Sequence, residues 1–445
     1  MGDDGGAGLR RSLSLGSLLL HGLAFMVPLT VFTTYGLVAA RTRGAVPAAY
    51  LVAAAGMILV AMSYAAMSRA SPAAGSAYSY ALEAFGPRAG FLTGWTLLLG
   101  YAFLPALNAL ASSIFLGSAF PEVPAWAWII AHMALACAVN LRGIRLADRV
   151  DRAIVLLQLA FLAVFACALA AAIARERGAA GFLDPRSFFD PGRFKGPGEG
   201  AAALLSGSSI LALSFLGFDA ISTLSEEALR PREDVPRATL LACAGSGLCF
   251  TLLSFTMQAA WPEAWREMKS PDGGSFELIA RIGGARLGYA FIAAYSIGCL
   301  ASSISAIASA ARVLYGMGRG GGLPRGAFAR LSGKRRTPTF NILLLGLLGL
   351  SALFVSLATA ASLLNFGALL AFSVVCASVV ARFFVGERRR AGFDLLRYLL
   401  APTLGAAACL AIWINLDGLA MQLGLGWIAL GFAYSAFAGR HAGKT

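Results

Sequence analysis

Residues 205–227, LSGSSILALSFLGFDAISTLSEE, set a Ser/Gly-rich break and the acidic Asp219 inside a run otherwise hydrophobic enough to cross a bilayer. A carboxylate in hydrocarbon is costly, so a chain keeps one where it faces a cavity, a partner or a substrate path. Backbone that leaves the helix at membrane depth needs the same shelter, because lipid offers it no hydrogen bonds. Together the two features mark a transport site.

Composition supplies the setting. The 445 residues are 58% hydrophobic and 13% charged, with mean hydropathy +0.73, more apolar than a soluble domain of this length. The expected class is an all-α polytopic membrane protein. A spanning helix needs about 20 apolar residues, and twelve such runs fall at 16–40, 45–68, 89–119, 123–141, 152–175, 202–228, 238–262, 285–316, 338–358, 360–384, 396–416 and 418–437. An even number puts both termini on one side, and 25 of the 36 Lys and Arg lie on that side. The positive-inside rule makes it cytoplasmic. The net charge of +14 is thus a topology signal scattered over many loops, and no nucleic-acid partner is expected.

The seven Cys lie in or beside apolar runs without metal-like spacing, and the three His form no cluster with them. Neither a metal nor a cofactor is expected. Residues 1–11 read as a disordered cytoplasmic tail. Residues 13–35 lack a small-residue cleavage site and read as a first span, not a removed signal.

Pro28 interrupts the first span, in GLAFMVPLTVF, and Gly217 the sixth, in SFLGFD, five spans apart. Inverted repeats bring such interrupted helices together at the midplane of secondary transporters. The expectation is a single domain with repeats at about 16–175 and 202–384 and extra helices at 396–437. Either break alone is equally well explained as a kink, since Pro and Gly are common in membrane helices. The connectors at 175–200 and 262–284 mix charge with Pro and Gly, as solvated caps with short interfacial helices would. The basic connector at 319–337 suits anionic membrane lipid.

Gly316, Gly318 and Gly321 satisfy GxGxxG, but they follow a span and run into Leu323 and Pro324, so no dinucleotide site is expected. No ATP-binding machinery appears, and no constellation of an enzyme. The polar residues within spans are Thr30, Thr33, Thr34 and Tyr35 on the first, Asn108 on the third, Ser206, Ser208, Ser209, Ser214, Asp219, Ser222 and Thr223 on the sixth, and Ser302, Ser303, Ser305 and Ser309 on the eighth. Isolated Ser and Thr usually bond back to their own helix. Asp219 would open the second half of span six, where free N–H groups and the helix dipole stabilise a carboxylate. Capping that half and meeting a substrate amine are compatible roles. Glu226 and Glu227, about two turns further on, should reach the interface and form a gate or a loop salt bridge.

With PxxGSAYSYALEAFGPRAGF (72–91), FLGFDAISTLSEE (215–227) and ASAARVLYGMGRGGGLP (308–324), the chain resembles the amino acid, polyamine and organocation (APC) permeases, and among them the bacterial putrescine importers. The likeness continues through FPEVPAWAW (120–128), RTPTFNILL (336–344), LLNFGALLAF (363–372) and WINL (413–416). It implies a LeuT-like five-plus-five inverted repeat with broken helices 1 and 6 plus two additional helices, in a bacterial cytoplasmic (inner) membrane. It also implies import of an amino acid or polyamine-type amine by alternating access, driven by protons or by a counter-substrate. The substrate site it implies comprises Gly22, Ala24, Phe25, Pro28, Thr33, Tyr101, Asn108, Ser214, Phe215, Gly217, Phe218 and Asp219. Coupling or gating falls to Asp219, Glu226, Glu227, Ser302 and Ser305.

Three departures qualify the likeness. Putrescine importers carry an Asp where this chain has Thr33 and another where it has Gly100, and a dication in a low-dielectric site needs more than one carboxylate. A monoamine or an amino acid is therefore an open alternative to putrescine. The turn at Gly320 lacks the family's Asp. Span five carries no Lys that could stand in for a bound sodium ion, which leaves the coupling ion open, with Asp219 a candidate proton carrier if burial raises its pKa. The competing class is a nutrient sensor or channel on the same fold, which would not exchange labelled for unlabelled substrate.

Overall fold

A computed structural model describes residues 11–269, 271, 274–332, 336–414, 416 and 418–442. Ten of the eleven residues read as a disordered tail lie outside that set, as do parts of the 319–337 connector and of WINL. Helices dominate because a chain this apolar must satisfy its own backbone groups in lipid. The main ones are α1 Leu15–Met26, α2 Thr30–Thr42, α3 Val46–Ala70, α4 Ala77–Phe85, α5 Pro87–Ala119, α6 Ala125–Leu141, α7 Ile144–Arg177, α8 Glu199–Leu211, α9 Pro231–Ala260, α10 Gly274–Arg319, α11 Thr339–Gly349, α12 Leu357–Val379, α13 Ala401–Trp413 and α14 Gly418–Ala442. Among the described residues no strand occurs, and the isolated bridges are Leu13 with Ala228 and Ser332 with Thr337.

Among the described residues, helix occupies most of each of the twelve expected runs. Eight helices are long and apolar enough to cross a membrane, and the bent pair α1 and α2 makes nine. The segments Ala125–Leu141 and Thr339–Leu353 are shorter apolar helices. Short helices also punctuate the two long connectors, at Ala180–Leu183, Pro185–Ser187, Pro191–Arg193 and Ala264–Glu267. Gly284, at φ +63°, kinks α10 where connector meets span.

Both predicted breaks are present. Between α1 and α2 the axis turns by 44°; Val27 sits at φ +50°, ψ +96°, in keeping with the bias of a residue before Pro away from the helical region. Thr30 Oγ1 donates to the carbonyls of Met26 at 2.9 Å and Val27 at 2.7 Å, so the break leaves neither orphaned. In the sixth run α8 tightens into a 3-10 turn at Ala212–Phe215, Leu216 is extended, and Gly217 takes φ +134°. The chain then resumes as the 3-10 helix Ala220–Glu227. Hydroxyls explain that winding: Ser222, Thr223 and Ser225 each donate to the carbonyl three residues back, at 2.6–2.7 Å, competing with α-helical bonding.

The two breaks cross in contact. A Cβ added to Gly217 would lie 2.9 Å from Phe25 Cδ1 and 3.0 Å from the Met26 nitrogen. One turn away, a Cβ on Gly22 would meet Ile221 at 2.5 Å. Glycine is what allows the two backbones to approach this closely. At one end of the bundle the main chain also joins these spans: Ser12 and Leu13 N–H donate to Glu227 O at 2.8 and 2.9 Å, and Leu229 N–H to Leu13 O at 2.9 Å. Helix α14 docks outside, where Trp95 and Trp427 stack at 4.4 Å and each indole N–H donates to the other's carbonyl.

Candidate functional site

A small cavity opens beside the crossing, lined by Phe25, Gly100, Tyr101, Leu104, Leu216, Asp219, Leu364 and Ala368. Its volume of about 10 Å³ holds roughly one water, so the arrangement is closed. The walls come from both broken spans, from α5 and from α12. Asp219 is 1% exposed. Its Oδ2 accepts from the Tyr101 hydroxyl and its Oδ1 from Gly217 N–H at 3.0 Å. Phe25 meets the Tyr101 ring edge-on at 5.3 Å. A carboxylate so placed can grip a cationic nitrogen once Tyr101 lets go, and the apolar wall can cover an aliphatic body.

A hydroxyl chain supports the carbonyl side. Asn108 Nδ2 donates to Ser302 Oγ at 2.8 Å, and Ser302 donates to Phe25 O at 2.8 Å. Pro105 lies inside α5; lacking an N–H, it leaves the Tyr101 carbonyl without its helical donor. That Pro, four residues past a Tyr on an apolar span, is a sequence signal that reading by polar side chains passes over.

The predicted site residues separate by location. Phe25, Tyr101, Gly217 and Asp219 meet at the crossing, with Pro28 in the break and Asn108 and Ser302 one bond behind. Ala24 instead packs with Ile154, Val155 and Ala301. Thr33 lies exposed beyond the break and donates to the Tyr295 hydroxyl at 3.0 Å. Ser214 meets the Tyr50 hydroxyl at 3.4 Å, Phe215 packs on Phe250, and Phe218 lies between Tyr64 and Phe372. Asp219 does precede the second half of its span, but that half is 3-10 and the carboxylate turns back to Gly217. Of the two positions where an Asp is absent, only Gly100 borders the cavity.

Glu226 and Glu227, read alike from sequence, differ in surroundings. Glu227 is buried and ion-paired with Arg312 of α10. Glu226 accepts from Ala74 N–H at 3.2 Å and pairs with Arg319 at 2.8 Å. Ser305 donates to Asp151 Oδ2 at 2.7 Å, and Asp151 faces His21 at 3.4 Å. This buried pair escapes the sequence reading, which starts span five at 152, whereas α7 begins at Ile144 and holds Asp151 two turns inside.

Outside the membrane spans, Arg177 holds Asp184 at 2.6 Å. The guanidinium donating to it keeps the Asp184 carboxyl below its ordinary range, helped by Arg186 N–H.

Broken spans crossing at a sheltered carboxylate define a permease-type transporter, and relatives specify it further. Residues 17–435 match the amino acid permease family. The chain is 36% identical over 429 residues to the low-affinity putrescine importer PlaP of Escherichia coli (strain K12), covering 96% of this chain and 93% of that protein. It is 27% identical to the methylthioribose transporter of Bacillus subtilis (strain 168) and to the branched-chain amino acid permease BcaP of Lactococcus lactis, with 95% of each covered. The chain belongs to the amino acid permease family of the APC superfamily. It is a transporter rather than an enzyme, and a multi-pass inner-membrane protein.

Proposed function

We propose that this permease imports a small amine, an amino acid or a polyamine-type solute, by alternating access, driven by protons or by exchange. Its twelve helices form the five-plus-five inverted repeat with two added helices, and both termini are cytoplasmic. The observation that carries the reading is Asp219, buried where the two broken spans touch, on the wall of a cavity whose other lining is apolar apart from the Tyr101 hydroxyl. The names of its relatives favour amine and amino acid cargo. A single acidic residue lines the cavity among the described residues, which favours a substrate presenting one cationic nitrogen there over one needing two carboxylates.

Thermal shift of the purified protein with diamines, monoamines and amino acids tests the cargo, because stabilisation follows affinity for the folded form. Counterflow in proteoliposomes tests the carrier. Exchange of labelled for unlabelled amine supports it; binding without exchange supports a sensor instead.

A further inference from the structure

His21 and Asp151 face each other at 3.4 Å, at 4% and 1% exposure. Ser305 donates to Asp151 Oδ2 at 2.7 Å, Ser309 Oγ lies 3.2 Å from His21 Nε2, and Asp151 Oδ1 is buried with no hydrogen-bond partner. One ionisable pair therefore joins α1, α7 and α10, away from the cavity. Ser302, Ser305 and Ser309 follow i, i+3, i+7 spacing, which puts them on one face of α10. Ser302 holds the Phe25 carbonyl beside the cavity, and the next two hold the pair. A single helix face thus touches both places.

The pair has two relevant charge states. With one proton shared between imidazole and carboxylate its net charge is zero, which burial tolerates. Without it, a lone carboxylate is buried, and an uncompensated charge is strongly destabilising. Beyond the Ser305 hydroxyl and His21, the charged groups described nearby are engaged elsewhere or exposed. On α7, Asp148 and Arg152 bond each other at 3.2 Å, Arg152 also reaches Ser17, and Arg149 is exposed. On α10, Arg312 is taken by Glu227 and Arg319 by Glu226. At the start of α9, Asp234 and Glu233 are met by Arg230, Glu233 also by Arg237, and Arg232 is exposed; further along, Cys243 is buried.

We propose that His21 and Asp151 form the proton-binding site that couples transport to the proton gradient. The pair holds one proton while α1 lies against α7 and α10, and yields it to water when α1 moves away and the carboxylate hydrates. One proton enters from one side and one leaves to the other. The proposal rests on the transport reading above.

The test compares wild type, Asp151→Asn and the double variant Asp151→Asn with His21→Gln in proteoliposomes. Across about one pH unit, one coupled proton supports about tenfold accumulation. Wild type should approach that level, and both variants should stop at equilibration while retaining counterflow at symmetric pH. Undiminished accumulation overturns the proposal, and so does equal loss of accumulation and counterflow. A second readout needs no substrate: maleimide labelling of Ser17→Cys should rise with pH relative to the same substitution in the Asp151→Asn background, and equal profiles overturn the proposal. Wild type that exchanges no amine defeats the transport reading instead, and the labelling still decides whether the pair binds the proton.

Discussion

The Tyr101 hydroxyl donates to Asp219 Oδ2, the oxygen that a substrate amine would approach in the transport reading proposed above. Tyr101 comes from α5 and Asp219 from the broken sixth span, so the bond closes the cavity across two elements. An arriving cation has to replace it, and a departing one leaves the carboxylate with a partner. The site is thus satisfied when empty, which a buried carboxylate requires.

Asp219→Asn should abolish amine uptake while leaving a folded protein in the membrane. A charged hydrogen bond contributes about 1.5–3 kcal/mol, so affinity should fall roughly ten- to a hundredfold. Binding titrations beside size-exclusion profiles check this, and unchanged affinity would falsify the acidic contact.

Tyr101→Phe removes the competing donor. The empty protein should lose about 1–3 kcal/mol, the cost of an unsatisfied buried acceptor, and its melting temperature should drop. Added substrate should recover more of that loss than it adds to wild type. A substrate-induced shift no larger than that of wild type would count against the exchange of partners.

Gly217→Ala should prevent the crossing. Its φ of +134° excludes a side chain at low cost, and the new Cβ would meet Met26 Cγ at 2.7 Å. Strain of about 1–3 kcal/mol adds to the clash, so uptake and thermal stability should fall together. Wild-type behaviour in both assays would show that the breaks need not touch.

Arg312→Gln strands Glu227 in a buried setting, where breaking an ion pair costs about 3–5 kcal/mol. Glu227→Gln with Arg312→Gln should be milder than either single change. A double-mutant cycle by thermal unfolding checks it, and additive losses would mean the two side chains do not couple.

The Arg177–Asp184 pair gives a pH prediction. Because Asp184 has a depressed carboxyl pKa in the folded protein, its stabilisation is present above the unfolded value of about 3.9 and is lost as pH falls through the folded one. Asp184→Asn should flatten the stability profile only in that acidic window, with uptake at neutral pH unchanged. The variant should be the less stable of the two at neutral pH and converge with wild type in that acidic window, and a difference that persists undiminished into acid would contradict it.

Much of the fold was legible because lipid makes strong demands. Apolar length and the two interruptions at Pro28 and Gly217 act through short-range chemistry visible in one dimension. Asp219 stood out for the same reason. Contacts were not legible from the residues alone: Tyr101 lies more than a hundred residues from Asp219 and enters the site only through the family resemblance, since nothing local marks it except Pro105. His21 and Asp151 were hidden differently, since charged neighbours at 148–152 depress hydropathy and shorten the apparent span from outside. The 3-10 winding of Ala220–Glu227 was written in its Ser and Thr residues, but propensity alone does not distinguish it from an α-helix.

The short parallel bridge between Leu13 and Ala228 also limits how the molecule can move. It stitches the leading edge of one interrupted helix to the trailing edge of the other by main-chain bonds that, short of a proline, no side-chain substitution removes. In the proposed cycle those two pieces swing as a single lever unless the stitch itself unravels, so freeing Ser12 and Leu13 from Glu227 would change the rhythm of the cycle without touching the cargo.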